Sequence, residues 1–330
     1  MTGVLRIGAR MRDGIVSAVE ICSPRVDPSA VFIGRDPEQA VALAGRLFSL
    51  CPMAQATAAR AATGLPAAEN EARALLAERL AEMLRASLLD WPGAPAPPEE
   101  IAALRDVLAL LRRSADEAGA QCAAALRDAL ARLGLGAPRG FCARQMAEAL
   151  ADECAMKLRP RKLDALTPDD DLPVVEGLWA DKAFSRAPAL PGRRVETGVA
   201  ARRGVQGALA ARLAAREAEM IETGAAIAAV LEGAPAPKNL VARGAGFAAV
   251  ECARGRLYHA CRLDGDGRIS DYRIVAPTEW NFHPDGPFAR LLTGALIGAG
   301  AEAKRRVERL AFVFDPCIRA QGEITEPAHA

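Results

Sequence analysis

The chain has 330 residues, enough for one large or two ordinary domains, and its 42 basic and 41 acidic side chains nearly cancel to a formal +1. That balance gives no overall field to attract nucleic acid or an anionic membrane, and no segment reaches the roughly 18 uninterrupted apolar residues of a membrane span. Hydrophobic residues make up 51% but aromatics only 4%, much of the apolar share being alanine, so a mainly α-helical protein packed through small side chains is expected, with small antiparallel β elements.

Along the chain, VLRI at 4–7 and the alternating residues of 14–21 flank the turn-forming RMRDG, which predicts a β-hairpin over 1–25. Asp36-Pro37 is a helix-start signal, and a helical core is expected over 36–157, interrupted at Cys51-Pro52, where proline removes a backbone donor. Within it, 69–90 is amphipathic, the proline-rich WPGAPAPPEE leads into helical periodicity over 98–133, and another helix is expected at 141–157. Residues 158–198 read as an irregular excursion, with the acidic run Asp169–Asp171 in a solvated loop or helix cap. Helix returns at 199–232, and residues 246–282 alternate and turn at Asp264–Gly267, which predicts a small antiparallel sheet. A C-terminal helix is expected from 286, followed by a closing segment to 330. No internal repeat is visible, so the whole of 1–330 reads as a single domain. The N-terminal MTGVLRIGARMRDG lacks an apolar signal core, so a cytoplasmic location is expected.

The eight cysteines (Cys22, Cys51, Cys122, Cys142, Cys154, Cys252, Cys261 and Cys317) are scattered, with no pair at two-residue spacing. Disulfides are not expected in a reducing compartment, and no chelating pair exists to seed a CxxC…CxxC zinc site. Any metal must be gathered from distant parts of the chain.

Four segments carry a family resemblance. The closing DPCIRA, Asp315-Pro316-Cys317 onward, resembles the DPCxxCxxH signature of the nickel–iron hydrogenase large subunit, with Ala320 in place of the second cysteine and Glu323 in place of the histidine. RLFSLCPMAQ resembles the RxCGxCxxxH signature: Arg46 and Cys51 remain, while Phe48, Ser49 and Gln55 replace the first cysteine, the glycine and the histidine. Residues 251–284 resemble the family's strand-rich segment, with Glu251, Arg254-Gly255, the Asp264–Gly267 turn and Pro277-Thr278-Glu279-Trp280-Asn281 in order. Glu196, Gly198, Ala201 and Arg202 match a Glu-x-Gly-x-x-Ala-Arg element. The match is weaker over 65–180.

The resemblance implies a large-subunit-like helical core and a site with a selective defect. In the family, four thiolates hold nickel, and two of them bridge to an iron carrying carbon monoxide and cyanide; soft thiolates suit both metals. By position, Cys51 is a bridging ligand and Cys317 a terminal one, whereas Phe48 and Ala320 cannot coordinate. No nickel and no hydrogenase activity are therefore expected. An iron arriving as an Fe(CN)2(CO) fragment needs fewer protein ligands, and Cys51 with Cys317 could hold it transiently. The family's cyanide pocket maps to Arg254, Pro277 and Thr278, where charged or hydroxyl donors face anionic acceptors.

The chain is thus similar to the accessory HupK/HoxV-type members of the family. That implies a maturation scaffold whose partners are the small chaperone that brings iron, its iron–sulfur companion and the large-subunit precursor. With Glu323 in the histidine position and seven residues after it, the family's C-terminal cleavage is not expected. Two alternatives stay open: a metal-free interaction protein that chaperones the precursor by imitating its fold, and a reduced redox or thiol-dependent enzyme using Cys51. On their own, Arg254 reads as a strand-edge ion-pair residue, Thr278 as a turn hydroxyl, Trp280 as a core anchor, and His259 and His283 as structural residues.

Overall fold

The computed structural model describes residues 3–24, 27–159 and 162–325. The N-terminal hairpin pairs β1 (Leu5–Arg12) with β2 (Ile15–Cys22) across Asp13-Gly14, both at positive φ, as a tight two-residue turn requires. Period-2 alternation buries Leu5, Ile7, Ala9 and Met11 on one face of β1.

The helical body follows as α1 (Pro37–Leu47), α2 (Pro52–Ala62), α3 (Glu71–Leu89), α4 (Pro98–Asp116), α5 (Ala120–Arg132), α6 (Phe141–Met156), α7 (Asp171–Ala180), α8 (Val199–Arg202) and α9 (Leu209–Leu231). Asp36 caps α1 by accepting from the Gln39 amide at 2.8 Å, with Pro37 in the first turn. Six of the 11 residues of helix α2 are alanine, and of these Ala54, Ala58, Ala59, Ala61 and Ala62 are buried. Short side chains let α1, α3 and the central sheet close in on it.

That sheet is an antiparallel meander in sequential order, β3 (Val241–Gly244), β4 (Phe247–Cys252), β5 (Gly255–Leu263) and β6 (Ile269–Val275). After it come α10 (Pro277–Asn281), α11 (Pro287–Leu292), α12 (Gly300–Phe312) and β7 (Ala320–Thr325). The last strand runs parallel to β1 and completes a β2-β1-β7 sheet that brings the two ends of the chain together. No helix of the described residues is long and apolar enough to cross a membrane.

The mainly helical class with small antiparallel elements is what the sequence predicts, but several boundaries differ. The helix expected over 98–133 breaks before Gly119, which adopts φ 137, and the one over 199–232 is interrupted between α8 and α9. The excursion 158–198 contains α7. The β segment begins at Val241, and its expected C-terminal part is the helical turn α10, because Pro277 cannot donate to a ladder and suits a helix N-terminus. The C-terminal helix is divided into α11 and α12.

Of the two expectations for the acidic run the helix cap holds, Asp170 closing a capping box with Thr167, but its end is not solvated. Asp171 is buried and accepts from Arg256 Nε at 2.7 Å and Tyr258 Oη at 2.8 Å, while Asp170 pairs with Arg193. Arg256 also reaches Glu251 at 2.9 Å, and Glu251 in turn meets Arg202. These ions hold α7 and α8 against the meander. Replacing Asp171 by alanine leaves a buried guanidinium with one partner fewer. A loss of about 3–5 kcal/mol is expected, read from the urea midpoint of the variant against the parent chain.

Candidate functional site

Four distant segments converge. The first is the bend between α1 and α2, where Cys51 sits immediately before Pro52 with φ 54 and ψ 42. A left-handed non-glycine residue costs about 1–3 kcal/mol and persists where its surroundings fix it. The bend is fixed by Glu78 of α3, whose carboxylate accepts from the Met53 and Ala54 amides at 2.5 and 2.9 Å and so satisfies the exposed N-terminus of α2. Burial pushes the Glu78 carboxyl up to about 7, although the two amide bonds oppose that shift.

The second segment is the tight turn between β4 and β5. Arg254 is buried, donating from Nη1 to Cys51 Sγ at 2.9 Å and from Nη2 to Glu82 at 2.9 Å. Its neighbour Gly255 has φ 131, and a Cβ there would lie 2.5 Å from Thr197 Oγ1 and 2.7 Å from the Gly198 amide nitrogen. Gly198, at φ 104, is the reciprocal case, since its Cβ would lie 2.9 Å from the Arg254 carbonyl oxygen. The Glu196-Thr197-Gly198 and Arg254-Gly255 elements, separate in sequence, are thus the two halves of one backbone crossing.

The third and fourth segments are α10 and the coil after α12. Asn281 accepts from the Thr197 amide at 3.0 Å and donates to the carbonyls of Thr197 and Phe314, each at 3.0 Å. Thr278 Oγ1 accepts from the Cys317 amide at 3.1 Å, which leaves its own proton free to donate. Asp315 adopts φ 51 and takes both carboxylate bonds from Arg216, each at 2.5 Å. Trp280 is the core anchor, edge-on to Phe184.

Cys51, Arg254, Pro277, Thr278 and Cys317 all line one cavity of about 420 Å³. Phe48 and Gln55 also lie in its wall. Ala320 lies instead in the wall of an adjoining groove of about 930 Å³, which shares Ser49, Leu50, Arg254, Cys317 and Ile318 with the first. Among the described residues, no three histidine, cysteine, aspartate or glutamate side chains converge as metal ligands.

Sequence reasoning missed Cys252 at the end of β4. It is buried and lines the same cavity, its thiol donating to the Gly255 carbonyl at 3.1 Å. The neighbouring Cys252 thiol and burial raise Cys51 well above the usual thiol range, and the proximity of Cys51, Arg254 and Arg202 lowers Cys252. A single cysteine in an apolar strand carries no signal beyond core packing. Gln55 is likewise engaged: its Oε1 lies 2.8 Å from His259 Nε2, and His259 Nδ1 lies 2.7 Å from Tyr272 Oη. Burial lowers His259 to about 3, and with Gln55 Oε1 as acceptor the neutral ring carries its proton on Nε2.

The sequence profile of the nickel-dependent hydrogenase family matches residues 181–320, which hold the backbone crossing, the meander, α10 and Cys317. Hydrogenase expression/formation protein HupK of Rhizobium leguminosarum bv. viciae is 39% identical, with 100% of each chain covered. Hydrogenase expression/formation protein HoxV of Cupriavidus necator is 30% identical, with 89% of each covered. The chain belongs to the HupK/HoxV family of hydrogenase expression/formation proteins. A reduced, active nickel–iron–selenium hydrogenase from Desulfomicrobium baculatum superposes with a TM-score of 0.62 at 16% identity, covering 94% of this chain and 95% of that one. HupK-type proteins therefore share the fold of the hydrogenase large subunit, and the four converging segments occupy a large-subunit-like framework.

The Glu78 site makes a pH prediction. Its folded pKa, about 7, lies above the unfolded value near 4.5, so its contribution is fully present below about pH 4.5 and is lost as pH rises through 7. Stability of the parent chain relative to Glu78→Gln is expected to fall between about pH 5 and pH 8 in urea titrations. A pH-independent difference would show that the carboxyl is not buried as described.

Proposed function

We propose that this HupK/HoxV-family chain is a maturation scaffold that holds or relays an Fe(CN)2(CO) fragment, its cargo, for the large subunit of a nickel–iron hydrogenase. The observation that supports this is one cavity lined by Cys51, Cys317, Arg254, Pro277 and Thr278, with Phe48 where a further thiolate would be needed. Two soft thiolates suit an iron that brings three diatomic ligands of its own, and they are too few for a four-sulfur nickel site. Arg254, already oriented by Glu82, brings a positive charge and guanidinium protons to an anionic cargo, and Thr278 retains a hydroxyl proton to donate.

The relatives' names place them in hydrogenase formation, and this chain's role follows theirs rather than that of the hydrogenase itself. Its partners on this reading are the chaperone that brings iron, the iron–sulfur companion and the large-subunit precursor, in the cytoplasm. The large-subunit fold also supports a second reading, in which the chain chaperones the precursor without metal by presenting a similar surface.

Protein purified anaerobically from cells with intact maturation is expected to contain iron without nickel and to show cyanide and carbonyl stretches in the infrared. Cys51→Ala and Cys317→Ala should each abolish the bands, and Arg254→Lys should shift the cyanide bands by changing their hydrogen-bond donors. Iron-free parent protein from such cells would overturn the scaffold reading in favour of the metal-free one.

A further inference from the structure

Three buried side chains, one each from β6, β5 and α2, form a hydrogen-bond chain that ends at the cavity. Tyr272 Oη lies 2.7 Å from His259 Nδ1, and His259 Nε2 lies 2.8 Å from Gln55 Oε1. The direction of the chain follows from its inner end. The Tyr272 hydroxyl meets no other acceptor among the described residues, so its proton goes to His259 Nδ1, because the opposite arrangement strands a buried phenol proton. An imidazole that accepts at Nδ1 carries its own proton on Nε2, and that proton requires the oxygen of the Gln55 amide, not its nitrogen, to face it. Donation therefore runs outward, from Tyr272 to His259 to Gln55.

The Gln55 amide nitrogen is the free end. Gln55 lines the 420 Å³ cavity, and among the described residues its Nε2 meets no acceptor; the Cys51 sulfur, one helical turn away, takes its proton from Arg254 instead. Trp280 Nε1 is sealed in the core without a partner, whereas the Gln55 nitrogen is open to the cavity. Arg254 and the Thr278 hydroxyl bring further protons to the same space, between apolar walls that include Phe48 and Leu257. Donors set in an apolar wall fit an anion with an apolar body and an acceptor tip.

From this polarity we propose that Gln55 is a specificity-determining residue of the cavity, its Nε2 donating to the nitrogen of a cyanide-type anion, with His259 and Tyr272 as positioning residues. That the anion is a cyanide of the cargo rests on the scaffold reading. Iron-bound carbon monoxide is a poor acceptor, and the amide cannot turn its oxygen to the cavity without breaking the bond to His259. The fragment is therefore turned so that a cyanide, and not the carbonyl, faces α2.

The test compares parent, Gln55→Leu and Tyr272→Phe chains, isolated anaerobically from cells with intact maturation, by infrared spectroscopy. Gln55→Leu is expected to move one cyanide stretch to lower wavenumber and to leave the carbonyl stretch nearly in place. Tyr272→Phe, whose ring keeps the stack on Phe32 at 4.3 Å between centroids, lets the histidine accept from Gln55 instead and should move the same band the same way by less. Should Gln55→Leu lose its iron, the Tyr272→Phe band decides. In the metal-free chain, 15N-histidine spectra, with three histidines to resolve, should show His259 protonated on Nε2; an Nδ1–H ring would overturn the inference. Thiocyanate, a linear anion with its own C≡N stretch, should bind the metal-free parent and bind Gln55→Leu roughly 10- to 100-fold more weakly, the loss of one hydrogen bond to an anion. An iron-loaded parent whose cyanide bands neither variant moves removes the inference and keeps the scaffold reading. An iron-free parent that still takes thiocyanate through Gln55 removes the scaffold reading and keeps the anion site, and an iron-free parent that takes none removes both.

Discussion

The backbone crossing at Gly198 and Gly255 is the constraint on which the site depends. Neither position has room for a Cβ, and both have positive φ, so an alanine at either would be strained and would push the two strands of chain apart. Because Arg254 precedes Gly255, the crossing sets where its guanidinium begins, and Glu82 of α3 sets where it ends. Thr197, pinned from one side by Asn281 and from the other by the Arg256 amide at 2.8 Å, ties the crossing to α10 and β5. Asn281 then reaches the carbonyl just before Asp315, so Cys317 is placed by the same chain of contacts that places Arg254.

A chain so rich in alanine and poor in aromatics gains limited apolar area per residue, and its interior holds an unusual share of charge. Arg212 with Glu196, Arg216 with Asp315, Arg256 with Asp171 and Glu251, and Arg309 with Asp152 are all largely withdrawn from water. Desolvation offsets most of the attraction in such pairs, so their net contribution to stability is small. Their effect is on geometry, because a misplaced helix would strand a buried ion. Three of these pairs involve residues of the recognisable motifs, Glu196, Glu251 and Asp315, so those motif positions are tied into the ionic interior.

The class of fold and the five cavity residues were legible in sequence because each lay within a short, ordered run: RLFSLCPMAQ, the Arg-Gly turn, the PTEWN element and DPC. What was not legible came from residues whose meaning depends on a partner far away. Asp171 belongs to a run of three acids that reads as a solvated loop or helix cap, and only Arg256 and Tyr258, on β5, make it a core residue. Glu78 and Glu82 lie on an amphipathic helix whose existence was plain, yet nothing in α3 alone says that one would cap α2 and the other hold Arg254. Strand β7 is too polar to announce itself, and it forms because β1 offers an unpaired edge. Cys252 reads as a packing residue until the fold places it in the same cavity wall as Cys51.

The substitutions in the signature positions also fill space, which bears on what the cavity can do. Phe48 is buried against the core, so a phenyl ring and not water fills that part of the cavity wall. Gln55 is held by His259, itself neutral and tied to Tyr272, so its side-chain oxygen is engaged in a buried hydrogen-bond chain. The two proposed iron-holding thiols differ in setting: Cys51 is deeply buried on a strained bend, whereas Cys317 is partly exposed in coil between α12 and β7 and borders the larger groove. One fixed sulfur and one accessible sulfur form an asymmetric pair. On the scaffold reading, that asymmetry assigns retention to Cys51 and exchange to Cys317, because a ligand bordering the open groove can be displaced by an incoming thiolate without unfolding the bend that holds the other.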